Sequence, residues 1–311
     1  MSEIRLQPLT RARVASLGEA GRAWAEGLPG VLAELAEQWG LTLGRALPGG
    51  SASYVVSATT RDGAPRVVKL VLADPDLADE SRTLVAAEGR GYAHLFDHDV
   101  ERGALLLEAL GPSLDRAVLP VERKLEILAR TLAEAWTVPL GTAPVLAPGE
   151  DKGSTLHQMV VDLDARHPGA CDPEVLAQAL AYAEARAAAH DPDACVVVHG
   201  DAHAANALRV DVPRPGAASG YVFVDPDGFR ADPAYDLGVT LRDWKVTDDR
   251  PRAELERLCA LLAGQAGSDE QRVWEWAFLE RVSTGLYVTD FGAESMGRWF
   301  LESAARLLRT R

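Results

Sequence analysis

The sequence predicts an α+β chain with a small antiparallel-sheet N-lobe over residues 1–110 and a mainly helical C-lobe over residues 111–311. Three observations carry this. β-Branched runs separated by turn signals fill residues 41–72. Long Ala/Leu-rich helical patterns dominate from about residue 121. Short apolar runs at 196–225 interrupt those helices around a loop dense in His, Asp and Asn. With 311 residues, 47% of them hydrophobic, the chain has ample material for a large buried core.

The elements follow in order. Trp24, Leu28, Leu32, Leu35 and Trp39 recur at helical spacing within a helical extension over about 10–40, and Gly40 is a stop signal. Leu41 to Ala46 is a strand, and Pro48-Gly49-Gly50-Ser51-Ala52-Ser53 is a turn of small residues. Tyr54 to Thr59 is a second strand, Arg61-Asp62-Gly63 a hairpin signal, and Arg66 to Leu72 a third strand. Asp74-Pro75 opens a helix as N-cap and first turn. That helix is expected to run past Glu88 towards Leu95, weakened at Gly89 and Gly91. Ala104 to Leu110 is a short apolar strand, and Gly111-Pro112 marks the lobe boundary. Helices are expected over 121–137 and 173–190, and again from Leu241 through 253–265 to Leu308. Val212 to Gly216 reads as an exposed hairpin loop.

Charge and cysteine content exclude several classes. The formal net charge is −14 and no Lys/Arg cluster interrupts it, so binding to nucleic acid through a basic patch is excluded. No apolar run reaches membrane-span length, and Met1-Ser2-Glu3-Ile4-Arg5 lacks the apolar core of a signal peptide. Cys171, Cys195 and Cys259 are odd in number and show no metal-type spacing, which fits free thiols in a reducing, cytoplasmic setting. Nothing in the sequence fixes an oligomeric state.

The chemistry concentrates at His199-Gly200-Asp201-Ala202-His203-Ala204-Ala205-Asn206, a loop between apolar runs. Asp201 and Asn206 stand at the spacing of the kinase catalytic loop, where the Asp accepts the proton of the attacking hydroxyl and the Asn holds Mg2+. Val222-Phe223-Val224 then delivers Asp225, either a second oxygen ligand for Mg2+ or a turn residue before Pro226. Lys69, on the third strand, is either a solvated strand lysine or the lysine that pairs with nucleotide phosphates. In the second case a helix glutamate holds it, with Glu88 the first choice and Glu80 the reserve. Ser51, in the small-residue turn, is placed to approach the phosphates, although a plain hairpin turn explains the segment almost as well. His199 and His203 are expected to brace the loop; a zinc site would need a third ligand that the sequence does not offer. Asp236 is either a helix N-cap or a brace for the catalytic loop.

Together these residues resemble the aminoglycoside phosphotransferase family. His199-Gly200-Asp201-x-His203-x-x-Asn206 looks like that family's catalytic loop, with Gly200 where protein kinases usually carry Arg. Val224-Asp225-Pro226 and Asp232-Pro233-Ala234-Tyr235-Asp236-Leu237 look like its streptomycin 6-phosphotransferase and hydroxyurea phosphotransferase branch. So do Leu28-Pro29, Trp39-x-Leu41 and Gly49-Gly50. The resemblance implies a bilobal protein-kinase-like fold and a Mg2+-dependent, ATP-using kinase. It implies adenine held by the backbone from Glu108 to Leu110, and a hydroxyl-bearing, cationic small-molecule acceptor in a cleft walled by the helical lobe. Asp227-Gly228 departs from the branch by adding a carboxylate, and residues 141–170 match nothing in it.

Overall fold

The structure is a computed structural model that describes residues 4, 6–47, 53–72, 77–245 and 250–309. The N-terminal helical stretch divides into α1 (Pro8–Ser16) and α2 (Gly18–Gln38), because Gly18 takes a left-handed φ of 58° at the join. Strands β1 (Leu41–Leu47), β2 (Ser53–Thr60) and β3 (Pro65–Val71) follow. The next elements are α3 (Leu77–Ala87), β4 (Leu95–Asp99) and β5 (Ala104–Glu108). The five strands form one antiparallel sheet in the order β1-β2-β3-β5-β4, with β3 in the centre. Strand β4 was not foreseen from the sequence: Asp97, His98 and Asp99 give Leu95–Asp99 little apolar character, and it pairs at the sheet edge.

Helix α3 stops at Ala87, short of Leu95. Glu88 (φ 50°), Gly89 (φ 80°) and Gly91 (φ 69°) all leave the right-handed region, which ends the helix at once. The expected cap at Asp74-Pro75 lies outside the described residues.

The second part of the chain contains α4 (Val121–Ala135), α5 (Lys152–Arg166) and α6 (Pro173–Ala188). It continues with the short strands β6 (Val196–Val198), β7 (Ala207–Arg209), β8 (Tyr221–Phe223) and β9 (Phe229–Ala231). It closes with α7 (Ala234–Arg242), α8 (Pro251–Ala266), α9 (Glu270–Asp290) and α10 (Glu294–Arg309). β6 pairs with β9 and β7 with β8, both antiparallel. Asp151 and Asp172 cap α5 and α6 by accepting from Ser154 N and Glu174 N. α9 is buried nearly all round, the pattern of a helix at the centre of a bundle.

Alternate residues of β5 face two cores. Ala104 and Leu106 join Leu28, Leu32 and Leu35 of α2, whose burial contributes roughly 1.5–3 kcal/mol per side chain. Leu105 and Leu107 join the larger core of the helical part. Both faces being covered explains why β5 reads as an unbroken apolar run.

The β7–β8 hairpin ties the two parts together. On one side Gly91 N donates to Gly216 O (2.7 Å), Ala93 N to Phe223 O (2.8 Å) and Phe223 N to Gly91 O (2.8 Å). On the other side Gly111 N donates to Arg209 O (2.8 Å) and Arg209 N to Pro112 O (3.2 Å). The 212–216 loop lies in this hairpin with Val212, Pro213 and Pro215 exposed, as the sequence suggests, and is anchored through Arg214 and Gly216. Arg214 donates to both carboxylate oxygens of Glu108 (3.0 and 2.7 Å), to Gly89 O (2.6 Å) and to Tyr92 O (2.9 Å).

Candidate functional site

Strand β6 ends at Val198, His199 follows it, and Gly200 makes the turn. Its φ of 90° is accessible to glycine, and a Cβ there would stand 2.5 Å from Asp227 Oδ2 and 2.8 Å from the Phe229 ring. The loop is then fixed from below by Asp236. Its Oδ2 accepts from His199 N (2.8 Å) and Trp136 Nε1 (2.9 Å), and its Oδ1 from Gly200 N (2.9 Å). Asp236 lies in the first turn of α7 but is not the N-cap, which is Pro233, so the capping alternative gives way to bracing. Burial pushes its carboxyl up from the ordinary carboxylate range, against His199, Trp136 and the two loop amides.

His199 is fully buried between the rings of Tyr92 and Phe223. Its Nδ1 accepts from Asp201 N (3.0 Å) and its Nε2 meets Val224 O (2.9 Å), so the proton belongs on Nε2. Burial lowers its pKa, in keeping with a neutral, bracing imidazole.

Asp201 is held by three side chains. Arg242, at the end of α7, pairs with Oδ1. His203 Nε2 lies 3.2 Å from Oδ2, and Asn206 Nδ2 donates to Oδ2 (3.1 Å) and to Asp201 O (3.1 Å). Burial works to raise the Asp201 pKa, but the His203 hydrogen bond and the charge of Arg242 outweigh it and hold the carboxyl well below the usual range. His203 is raised in return: burial acts downward, and the bond to Asp201 prevails. Arg242 is backed by Glu280 at 3.7 Å, and Glu280 accepts from Tyr235 Oη (2.7 Å). Arg242 escaped sequence reasoning because a basic residue in a helix's last turn is ordinary.

The hairpin register brings Asn206 and Asp225 together. Ala207 pairs with Phe223, and Val224 N donates to Asn206 O (3.0 Å). Asp225 takes a left-handed φ of 58°, a strained conformation for a residue other than glycine. The amide nitrogen of Asn206 is committed to Asp201, which leaves its carbonyl oxygen for a cation. Asp225 gives Oδ1 to Lys69 and keeps Oδ2. Two hard oxygen donors on adjacent backbone fit Mg2+, which binds few protein ligands and keeps water and phosphate oxygens.

Lys69, buried in the central strand, places Nζ 2.6 and 2.7 Å from the Glu80 oxygens and 2.9 Å from Asp225 Oδ1. Burial alone would lower its pKa, but the two carboxylates reverse that and raise it, so the ammonium stays charged. The Glu88 pairing expected from the sequence is corrected here. Glu88 lies beyond the end of α3, where its side chain is 73% exposed and pairs with Arg90 (2.9 Å). Glu80 instead sits in the first turn, on the face turned to β3, and is 7% exposed.

Glu108 ends β5, and its carboxylate is taken by Arg214 and by His94 N (3.1 Å); Leu110 beyond it is half-buried. Ser51 lies outside the described residues. The structure thus brings Lys69, Asp225, Asn206, Asp201, His203, His199 and Asp236 into one connected set, with Glu80, Arg242 and Trp136 added to it.

A family model described as aminoglycoside/hydroxyurea antibiotic resistance kinase matches residues 38–292. The chain belongs to this family. It is a kinase that transfers a phosphoryl group to a hydroxyl acceptor, and the bilobal fold of such kinases is the fold described above. A streptomycin 6-kinase of Streptomyces glaucescens is 27% identical over 93% of this chain and 92% of its own length. A hydroxyurea phosphotransferase of Kitasatospora aureofaciens is 30% identical over 88% of this chain and 77% of its own. Among solved structures, an aminoglycoside phosphotransferase of Streptomyces rimosus, in complex with ADP and streptomycin, superposes with a TM-score of 0.51 at 20% identity, covering 82% of this kinase and 97% of that chain. Among the described residues no helix is long and apolar enough to cross a membrane.

Proposed function

We propose that this kinase transfers the γ-phosphoryl group of ATP, with Mg2+, to a hydroxyl of an aminocyclitol antibiotic such as streptomycin, acting in the cytoplasm. The observation that carries the reading is Lys69, whose ammonium lies between Glu80 and Asp225. It joins the sheet, where phosphates would be gripped, to the strand end that faces Asp201. In this reading Lys69 orients the phosphates and Glu80 holds Lys69. Ser51 and the backbone from Glu108 to Leu110 contribute to nucleotide binding. The lobes meet near residue 110.

Asp201 aims the acceptor hydroxyl and takes its proton as the bond to phosphorus forms. Phosphoryl transfer asks little covalent help of a protein, so positioning and charge carry the catalysis. Arg242, His203 and Asn206 keep Asp201 ionised and fixed in rotation. Asn206 and Asp225 would hold magnesium, which when bound neutralises charge on the phosphates. The acidic balance of the chain, net charge −14, suits a cationic acceptor.

The streptomycin 6-kinase relatives support the acceptor, and the hydroxyurea phosphotransferase relative makes hydroxyurea the competing one. ATP turnover with a panel containing streptomycin, other aminoglycosides and hydroxyurea tests the choice. Turnover of another panel member without streptomycin refutes it. Asp201→Asn should lower kcat by about 10²–10⁴ and leave nucleotide affinity within about threefold. Full activity in that variant would remove Asp201 from the base role.

A further inference from the structure

We propose that α1 is a latch between the two lobes, on the side of the cleft away from residues 108–113, and that its contact between Arg13 and Phe291 must open for the acceptor to enter. The proposal rests on the kinase reading of the cleft and not on which acceptor is used.

One side of α1 is fastened to the N-lobe. After α1 the chain turns at Gly18 and α2 runs back against it. Val14 is 9% exposed and lies on Gly21, where a Cβ would stand 2.2 Å from Val14 O, so the close approach needs glycine. Thr10, on the same face one turn earlier, is buried and donates from Oγ1 to Ser53 O (3.4 Å) at the start of β2. Ile4 and Leu6, just before α1, pack on the core between α2 and the sheet.

The other side of α1 reaches the C-lobe. The Arg13 guanidinium carbon lies 5.2 Å from the centre of the Phe291 ring, at the C-terminal end of α9. Phe291 is 42% exposed, and Tyr287, one turn earlier, stands beside it with 5.5 Å between ring centres. The neighbouring carboxylate, Asp290, is already taken by His167 (2.7 Å) and Arg166 (3.3 Å). Arg13 therefore holds the C-lobe through a ring. An exposed contact of a cation with a ring is weak, whereas Thr10 and Val14 are buried. The helix has a firm attachment to one lobe and a light one to the other, which is what a part that opens and closes requires.

The register of the sheet places this latch. Arg66 of β3 pairs with Glu108, and Val71 of β3 pairs with Ser53. Those two ends of the strand are about 17 Å apart, and Lys69 lies between them. α1 thus meets the sheet at the end remote from the connection between the lobes. In the C-lobe, Phe291 stands about 16 Å along α9 from Glu280, which backs Arg242 on Asp201. Residues 108–113 and the β7–β8 hairpin join the lobes on one side, and α1 joins them on the other. An element in that position shuts water out when closed and admits substrate when open.

The test staples the contact in the full-length protein. Arg13→Cys/Phe291→Cys is joined by a bis-maleimide with a disulfide in its spacer, long enough to replace the two side chains and cleavable by dithiothreitol. Cys171, Cys195 and Cys259 are buried, so the introduced pair is the one that reacts. The control is the same variant capped at both positions with N-ethylmaleimide. The staple should form within one chain, phosphorylation of streptomycin should fall at least tenfold below the capped control, and cleavage should restore it. A staple that does not form, a stapled enzyme that keeps its rate, or a loss that cleavage does not reverse overturns the latch. Phosphorylation of hydroxyurea and not streptomycin by the capped control refutes the acceptor reading instead, and the same tenfold loss is then required with hydroxyurea.

Discussion

Replacing Glu80 by Gln tests which glutamate holds the phosphate-facing lysine. Lys69 and Glu80 are 6% and 7% exposed, and their charged atoms lie 2.6–2.7 Å apart. At an effective dielectric near 20 that contact has a gross Coulomb energy on the order of 6 kcal/mol. Most of it is offset by the cost of taking both charges out of water. Deleting one partner of a buried pair typically costs about 3–5 kcal/mol, because the survivor is left uncompensated. Lys69 keeps Asp225 at 2.9 Å, and Gln retains one acceptor oxygen, which moves the expectation down to about 2–3 kcal/mol. If that loss falls on the geometry required for transfer, kcat/KM for ATP drops roughly 30- to 150-fold. Glu88→Gln removes an exposed pair with Arg90 and should stay within about threefold of wild type. Steady-state phosphoryl transfer at varied ATP, with urea unfolding of both variants, provides the measurement. A Glu80→Gln enzyme within threefold of wild type, beside a crippled Glu88→Gln enzyme, would refute the assignment.

Asp236→Ala strips the acceptor from Trp136 Nε1, His199 N and Gly200 N, all in the interior. Urea unfolding should register a loss of about 3 kcal/mol or more, and activity should fall with it. Gly200→Ala must hold φ near 90° with its methyl against Asp227 and Phe229. It should lose about 2 kcal/mol or more and most of its turnover, read by the same two assays. The His203–Asp201 pair sets a pH dependence. The His203 pKa is raised above its ordinary 6.5, so its contribution to stability is fully present below about 6.5 and is lost as pH rises through the folded value. His199 is shifted down, and its contribution is lost as pH falls below 6.5, so the two oppose each other. Unfolding free energies of wild type and His203→Gln, measured from pH 5 to 9, should therefore converge as pH rises; a constant difference would refute the pairing.

How much of this was legible depended on what kind of signal each residue leaves. Asp201 and Asn206 are close in sequence on one short loop, and chain connectivity alone guarantees that they meet. The strands around Lys69 carry β-branched residues and turn signals, so the sheet was readable up to β4, whose acidic residues hide an edge strand. Glu80 and Glu88 share a helix at a spacing of eight residues. Choosing between them required the end of that helix, which the left-handed backbone at Glu88 decides. Arg242 and Arg214 left no local signal, because their partners Asp201 and Glu108 are 41 and 106 residues away and only tertiary packing selects them. Asp236 was readable as either a helix N-cap or a brace for the catalytic loop, and only tertiary packing shows that it accepts from His199 N and Gly200 N.

The two grips on the β7–β8 hairpin constrain how the cleft can move. A lobe suspended from one flexible linker can swing, tilt and twist. Here residues 91–93 seize one strand of the hairpin and residues 111–113 the other, and Arg214 pins the loop between them. Two anchors on one stiff element hold the sheet to the helical part at both strands of the hairpin, which a single linker could not do. Lys69 and Asp225, 2.9 Å apart, face each other beside that double attachment, so their spacing is set by the hairpin as well as by the ion pair.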